Sequence, residues 1–333
     1  ATASPRRISA HERPALVPEP AGDFAPHHLC DMYFVAVGTP VGRDGRPQFG
    51  AIEQAARTVG AALKQGDAVI IRSTVPVGTT REVVIPILER LSGLTAGRDF
   101  YIAFAPERTV EGRALEELKK LPQVIGGIDR VSAEVAAHIF NAITSYSIVM
   151  DSLEEAEMVK LANNTYRDVT FAFSNELALV CHRWGIDTHR VIEAANRDYG
   201  RSRVPAPSPG VGGYCLKKDP FIFIASARKK GYAPRLATRA REVSEAMVGF
   251  VAERVFNFLR RHGRAPQRAK VCIIGVAFKG DPVTSDIRGS TSIDLANLLR
   301  PKIGRIVGFD PAADPVGARA AGIPLARDAR AAI

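Results

Sequence analysis

Between residues 32 and 150, short apolar runs alternate with longer stretches in which apolar positions recur every three to four residues. The runs at 32–37 and 68–71 are rich in aromatic and β-branched side chains, and residues 52–63 between them carry helical periodicity. Together they predict a β-α-β unit, and a parallel sheet follows from it. The alternation continues with a helix at 79–91, a strand at 100–105, and strands at 124–126 and 147–150 around a helix at 132–143. Residues 31–150 therefore read as a layered α/β domain.

The pattern then changes. Residues 152–184 are helical and apolar on more than one face, as expected of a helix buried between domains or subunits. Ser152 and Glu155 form a capping box at its start. A helix at 188–196 leads through a loop of Arg, Pro, Ser and Gly to helices expected at 219–230 and 235–261. A strand at 270–276, a helix at 292–299 and a strand at 305–309 make a second β-α-β unit. Residues 1–30 lack sustained periodicity and read as an irregular lead-in, so the chain divides into 1–30, 31–150, 151–262 and 263–333.

Composition narrows the function. The 333 residues are 46% hydrophobic, enough for two or three cored domains. No apolar run approaches a membrane span, and the opening twenty residues lack the apolar core of a secretory signal. Cys30, Cys181, Cys215 and Cys272 show no paired spacing, which suits a reducing cytoplasm. The net charge of +10 is spread along the chain, and its densest group, Arg260, Arg261, Arg264, Arg268 and Lys270, surrounds an apparent linker. That distribution argues against nucleic acid and suits an anionic small molecule such as a sugar nucleotide. His27, His28 and Cys30 lack a second ligand cluster, so no metal site is expected.

The densest chemistry lies at Gly210-Val211-Gly212-Gly213-Tyr214-Cys215-Leu216-Lys217-Lys218-Asp219-Pro220. Gly210, Gly212 and Gly213 let the backbone approach a ligand closely. A helix starting at these glycines would put Cys215 in its first turn, where free N–H groups favour negative charge, with Asp219 on the same face. The competing reading is a glycine-rich loop holding a small buried cysteine. Ser73 and Thr74 follow the strand at 68–71, and Glu107 and Glu111 follow the strand at 100–105, both at the carboxyl edge where open α/β sheets bind ligands. Lys160 and Asn164 project together from the long helix, and Lys279, Asp286 and Arg288 lie after the later strand. Singly these groups suit a solvated surface; jointly with Cys215 they suit a site.

In these segments the chain resembles the UDP-glucose/GDP-mannose dehydrogenase family. The resemblance runs through VAVGTP (35–40), STVPVGT (73–79), APERTVEG (105–112), VIGG (124–127), KLANNTYR (160–167), SNELA (174–178), GVGGYCLKKDP (210–220), GVAFKG (275–280) and SDIRGS (285–290). It implies an α/β fold with two Rossmann-like parallel-sheet domains, both incomplete here, joined by a central helical domain. It also implies oxidation of a nucleotide sugar, a UDP-hexose or UDP-N-acetylhexosamine, at C6 to the acid with two NAD. By the same matching, Thr74 and Asp219 hold the water that takes the alcohol proton, and Lys160 and Asn164 stabilise the alkoxide. Cys215 attacks the aldehyde, and Glu107 is the base for thioester hydrolysis. Substrate contacts fall to Glu107, Lys160, Asn164, Gly210, Gly212, Gly213 and Lys279, and cofactor contacts to Thr39, Pro40, Ser73, Thr74, Glu111 and Arg288. A homodimer built on the helix at 152–184 is expected.

The chain also departs from the family. It contains no G-x-G-x-x-G fingerprint and stops soon after the second β-α-β unit, so it reads as truncated at both ends, with weak NAD binding expected of it. The loop from Lys279 to Arg288 is longer than in many members. Two alternatives accompany the enzyme: a non-catalytic member that keeps the dimer core and sugar-nucleotide cleft without holding NAD, and a decarboxylating β-hydroxyacid dehydrogenase, which needs no cysteine at 215.

Overall fold

A computed structural model describes residues 31–42 and 44–332; the lead-in, with His27, His28 and Cys30, lies outside the described residues. Strands β1 (Met32–Val35), β2 (Ala68–Ile71), β3 (Tyr101–Phe104), β4 (Gln123–Gly127) and β5 (Ser147–Met150) form one sheet in that spatial order. β2, all apolar, is buried along its whole length, as a central strand covered on both faces must be. Helices α1 (Gly50–Ala62) and α2 (Ile85–Ser92) cover the sheet with Ile52, Val59, Ile87 and Leu88, which pack on Val69, Ile71, Ile102 and Phe104. Phe100 and Phe104 are fully buried, and truncating either to Ala would cost about 3–5 kcal/mol.

The sheet differs from the expected parallel arrangement at one pairing. β1, β2 and β3 run parallel, as do β4 and β5, but β3 and β4 are antiparallel, with Ala103 opposite Gly127. A parallel return needs a crossover element packed on the sheet face. The helix in this connection, α3 (Ala114–Lys120), buries none of its residues, so it supplies no such packing. α4 (Arg130–Asn141) then packs Ala133, Ala136 and Phe140 beneath the sheet.

The helix expected at 79–91 is two pieces, a π turn over Thr80–Val84 and then α2. Pro86, at the start of α2, has no N–H to close a regular turn onto Glu82, and the preceding backbone widens. α5 (Leu153–Trp184) is a single helix of 32 residues. Ser152 accepts from the Glu155 amide at 3.2 Å, while Glu155 reaches back to the Asp151 amide at 2.9 Å, so the predicted capping box forms one residue wider than the standard pattern. α6 (Thr188–Asn196) follows.

α7 spans Tyr214–Lys229, beginning at the glycine turn as the reading of those glycines expected and ahead of the start at Asp219 that periodicity gave; with α8 (Arg235–Arg261) it packs along α5. Periodicity alone missed this start because the first turn, Tyr-Cys-Leu-Lys-Lys, has no apolar stripe. β6 (Lys270–Ile274), α9 (Thr291–Leu299) and β7 (Arg305–Phe309) form a second parallel unit, followed by α10 (Pro315–Ala320) and α11 (Ala329–Ala332). Its core shares Val248, Ala252 and Leu259 of α8, which couples the last domain to the helical middle. Among the described residues no helix is long and apolar enough to cross a membrane.

Candidate active site

Gly213 caps α7 with φ +91°, a conformation few residues other than glycine adopt, and a Cβ there would stand 2.7 Å from the Phe278 ring. The close approach lets the Gly213 amide donate to the Gly289 carbonyl at 3.2 Å, which docks the glycine turn on the loop after β6. Gly212 meets the same loop at the Phe278 carbonyl, and Gly210 lies against the Ser244 carbonyl of α8. Lys217 pairs with Asp294 of α9, a second tie between α7 and the last domain. Cys215 is the second residue of α7 and is exposed, which removes the reading of a small buried cysteine in a loop. The Tyr214 hydroxyl lies 3.3 Å from where a Gly38 Cβ would be, so the loop after β1 reaches the start of α7.

One stripe of α5 supplies the polar floor. Asn164 donates to Asp219 Oδ2 at 2.6 Å, and Lys218 Nζ lies 2.6 Å from Asp219 Oδ1. The fully buried Asp219 therefore has both oxygens engaged. One turn earlier Lys160 donates to the Glu107 carbonyl. Burial pushes the Lys160 amine down, opposed by Asp219, Cys215 and Glu107 nearby. One turn later the fully buried Asp168 pairs with Arg241 of α8 at 2.7 Å.

Glu107 enters from the loop after β3. Its Oε2 takes the Arg72 guanidinium and its Oε1 accepts from the Thr109 amide at 2.8 Å. Burial pushes the carboxyl up, but the Thr109 amide and the Arg72 charge outweigh it and hold the group below the ordinary glutamate range. Arg72 is itself steadied by Gln123 at 3.3 Å and by the Phe140 ring, 5.0 Å from its guanidinium carbon. The parallel run of β1, β2 and β3 brings the loops after them to one sheet edge. There Thr39 donates to the Thr74 carbonyl and Ser73 to the Val35 carbonyl at 3.4 Å. The described hydrogen bonds thus join Thr74 to Thr39 rather than directly to Asp219. The same loop is anchored by buried Glu157 of α5, which accepts from the Gly78 and Thr80 amides and the Thr80 hydroxyl.

The remaining candidates form an outer cluster. Lys279 donates to the Glu111 carbonyl at 2.6 Å, and Thr284 to the Glu111 carboxylate. Arg288 forks onto Asp286 at 2.7 and 3.0 Å and lies 5.6 Å from the Tyr214 ring. Pro40 is exposed, and its carbonyl accepts from Gln48 at 2.9 Å. Sequence reasoning missed Arg72, Glu157, Lys218 and Arg241. Only Asp168 left a signal, four residues beyond Asn164 and eight beyond Lys160 on one helix face. Among the described residues no group of three or more His, Cys, Asp or Glu side chains could hold a metal ion.

An exposed cysteine at a helix start, a buried Asn–Asp–Lys floor and a strand-edge glutamate lie between an α/β sheet and a helical middle. The model of the UDP-glucose/GDP-mannose dehydrogenase family's NAD binding domain matches residues 23–144, and that of its central domain matches residues 154–246. The UDP-N-acetyl-D-mannosamine dehydrogenase of Pyrococcus horikoshii is 36% identical over 281 residues, covering 84% of this chain and 65% of that protein. The NDP-N-acetyl-D-galactosaminuronic acid dehydrogenase of Ralstonia solanacearum is 31% identical over 94% of this chain and 71% of its own length. The structure of a UDP-glucose dehydrogenase from Pyrobaculum islandicum superposes with a TM-score of 0.80 at 32% identity, covering 91% of this chain and 70% of that one. The chain belongs to the UDP-glucose/GDP-mannose dehydrogenase family. It spans about two thirds of the length of these relatives.

Proposed function

We propose that this chain carries the catalytic centre of an NAD-dependent nucleotide-sugar 6-dehydrogenase acting on a UDP-sugar, with a UDP-N-acetylhexosamine as the favoured substrate. The observation that carries this reading is the exposed Cys215 in the first turn of α7, one helical turn from an Asp219 held by Asn164 and Lys218. The names of the relatives favour an N-acetylated sugar. The alternative of a non-catalytic member predicts nucleotide-sugar binding without acid formation.

The chemistry moves four electrons from a primary alcohol to a carboxylate. NAD, when bound, accepts a hydride at each of the two oxidations, and the loops after β1, β2 and β3, with Thr39, Pro40, Ser73 and Thr74 at one edge, would hold it alongside Glu111 and Arg288. Thr74 and Asp219 position the water that takes the alcohol proton. Lys160 and Asn164 donate to the oxygen as negative charge develops on it. The Cys215 sulfur adds to the resulting aldehyde carbon, and its S–C bond holds the sugar through the second oxidation as a thioester. Glu107, held ionised, takes a proton from water as the water attacks the thioester. The C–S bond breaks, and the acid leaves with the thiol restored. Lys279 and the backbone of Gly210, Gly212 and Gly213 contact substrate. A cytoplasmic location accords with this use of NAD.

The reading extends to a homodimer. Tyr166, Phe173, Val180 and Trp184 are exposed on α5 at spacings of seven, seven and four, which sets them along one uncovered stripe. In Cys215→Ser, nucleotide-sugar binding by calorimetry stays close to the parent while acid formation falls by about two to four orders of magnitude. Parental rates of acid formation in that variant overturn the assignment.

A further inference from the structure

Pro220 sits inside α7, where its nitrogen has no hydrogen to donate to the carbonyl four residues back. That carbonyl belongs to Leu216, the residue after Cys215. It is not left orphaned: Arg241 Nη1 of α8 donates to it at 3.2 Å. The same nitrogen donates to Asp168 Oδ1 of α5 at 2.7 Å. Both side chains are enclosed, Arg241 being 4% exposed and Asp168 fully buried.

The shape of this pair tells what it is for. An arginine serving only a buried carboxylate normally meets it fork to fork with two parallel bonds. Here Asp168 Oδ2 and Arg241 Nε have no hydrogen-bond partner. The guanidinium is turned away from the fork so that one nitrogen bridges the carboxylate and the Leu216 carbonyl, and its other edge leans 3.6 Å from Glu245. Phe221 closes the side, with its ring 5.7 Å from the guanidinium carbon. The shared Nη1 thus ties α5, α7 and α8 together at one buried point.

We propose that Arg241, held by Asp168, is a positioning residue for the nucleophile: it supplies the donor that Pro220 removes and so clamps the first turn of α7, with Cys215, onto the α5 stripe that carries Lys160 and Asn164. Asp168, Asn164 and Lys160 lie on one face of α5, so the clamp references the thiol to the same helix that presents the alkoxide-stabilising groups. The proposal rests on Cys215 being the nucleophile, and its test needs no turnover.

Arg241→Met alone leaves Asp168 buried without its cation and endangers the fold. The test therefore uses Asp168→Leu/Arg241→Met, which replaces the pair by apolar groups, and the same double variant carrying Pro220→Ala, whose backbone N–H can bond Leu216 directly. Circular dichroism and thermal melting establish that each is folded. Two readouts follow: hydrogen exchange of the amides at 217–219, and the rate of carboxymethylation of Cys215 by iodoacetamide at pH 7.5, resolved by mass spectrometry. In the double variant exchange speeds by about tenfold or more and alkylation slows by a similar factor, because the sulfur loses its fixed place as the first turn of α7 frays. Pro220→Ala returns both most of the way to the parent. A role confined to packing predicts no rescue by Pro220→Ala. Parental exchange and alkylation in the double variant, or faster alkylation there, overturn the proposal. Absence of acid formation by the parent bears on the enzymatic reading and leaves these readouts intact.

Discussion

Glu157 offers a quantitative test of how α5 holds the loop bearing Thr74. The side chain is 1% exposed and makes no ion pair among the described residues; its partners are the Gly78 amide, the Thr80 amide at 2.9 Å and the Thr80 hydroxyl at 2.7 Å. Burial pushes its carboxyl from the ordinary 4.5 up to about 7, opposed by the Thr80 and Gly78 donors and reinforced by the charge of Glu154. Because the folded value is raised, the favourable contribution is complete below the unfolded value and is lost as pH rises through the folded one. The gap from 4.5 to about 7 corresponds to roughly 3 kcal/mol, most of it lost between pH 5 and 8. Glu157→Gln stays neutral across that window. Its amide oxygen can keep the Thr80 bonds, but its nitrogen cannot accept from Gly78, a pH-independent loss of about 1–3 kcal/mol. The stability advantage of the parent over the variant therefore shrinks by roughly 2–3 kcal/mol from pH 5 to 8. Urea unfolding at a series of pH values measures it, and Asp168, raised by burial to about 6, cancels in the difference. Parallel profiles, or a gap that widens with pH, refute the reasoning.

Arg72→Gln removes the charge that holds the Glu107 carboxyl down, so the acid limb of nucleotide-sugar oxidation moves to higher pH while the rate on the alkaline plateau changes little. An unmoved limb refutes the pairing as the source of base strength. Sedimentation at micromolar concentration gives a species of twice the chain mass, and Phe173→Asp shifts it to the monomer by placing a charge on the uncovered stripe of α5; a monomeric parent removes the dimer.

Much of the architecture was legible because it depends on local periodicity. β2, β5, α6, α8 and β7 occupy the spans their apolar patterns predict, and the cap of α5 was visible as Ser152 with Glu155. What was not legible depended on partners distant in sequence. The antiparallel β3–β4 pairing follows from α3 failing to pack on the sheet, which no local pattern shows. The glycines offered a start for α7 at the turn, whereas the apolar pattern placed it only at Asp219, because Gly213 docking on Phe278 and Gly289, and not an apolar stripe, sets its first residue. In the site, Cys215, Asp219, Lys160, Asn164 and Glu107 could be picked out by residue type at ligand-facing positions. Arg72 and Arg241 could not, since an arginine in a sequence reads as surface until the carboxylate that buries it is known.

The positions of the legible and illegible groups share one physical origin. Lys160, Asn164 and Asp168 rise about 6 Å per step along a single face of α5. Each reaches a different part of the chain: the β3 loop through Glu107, the start of α7 through Asp219, and α8 through Arg241. A helix whose own hydrogen bonds are closed is a stiff ruler, so these contacts set Glu107, the polar floor and the first turn of α7 at fixed separations although they come from segments more than fifty residues apart. The last domain is registered to the same ruler at second hand, through Gly213 on Gly289 and Lys217 on Asp294. A substitution on that face of α5 is therefore expected to disturb the mutual placement of several groups at once, whereas one on the opposite stripe of Tyr166, Phe173 and Val180 touches only what docks there.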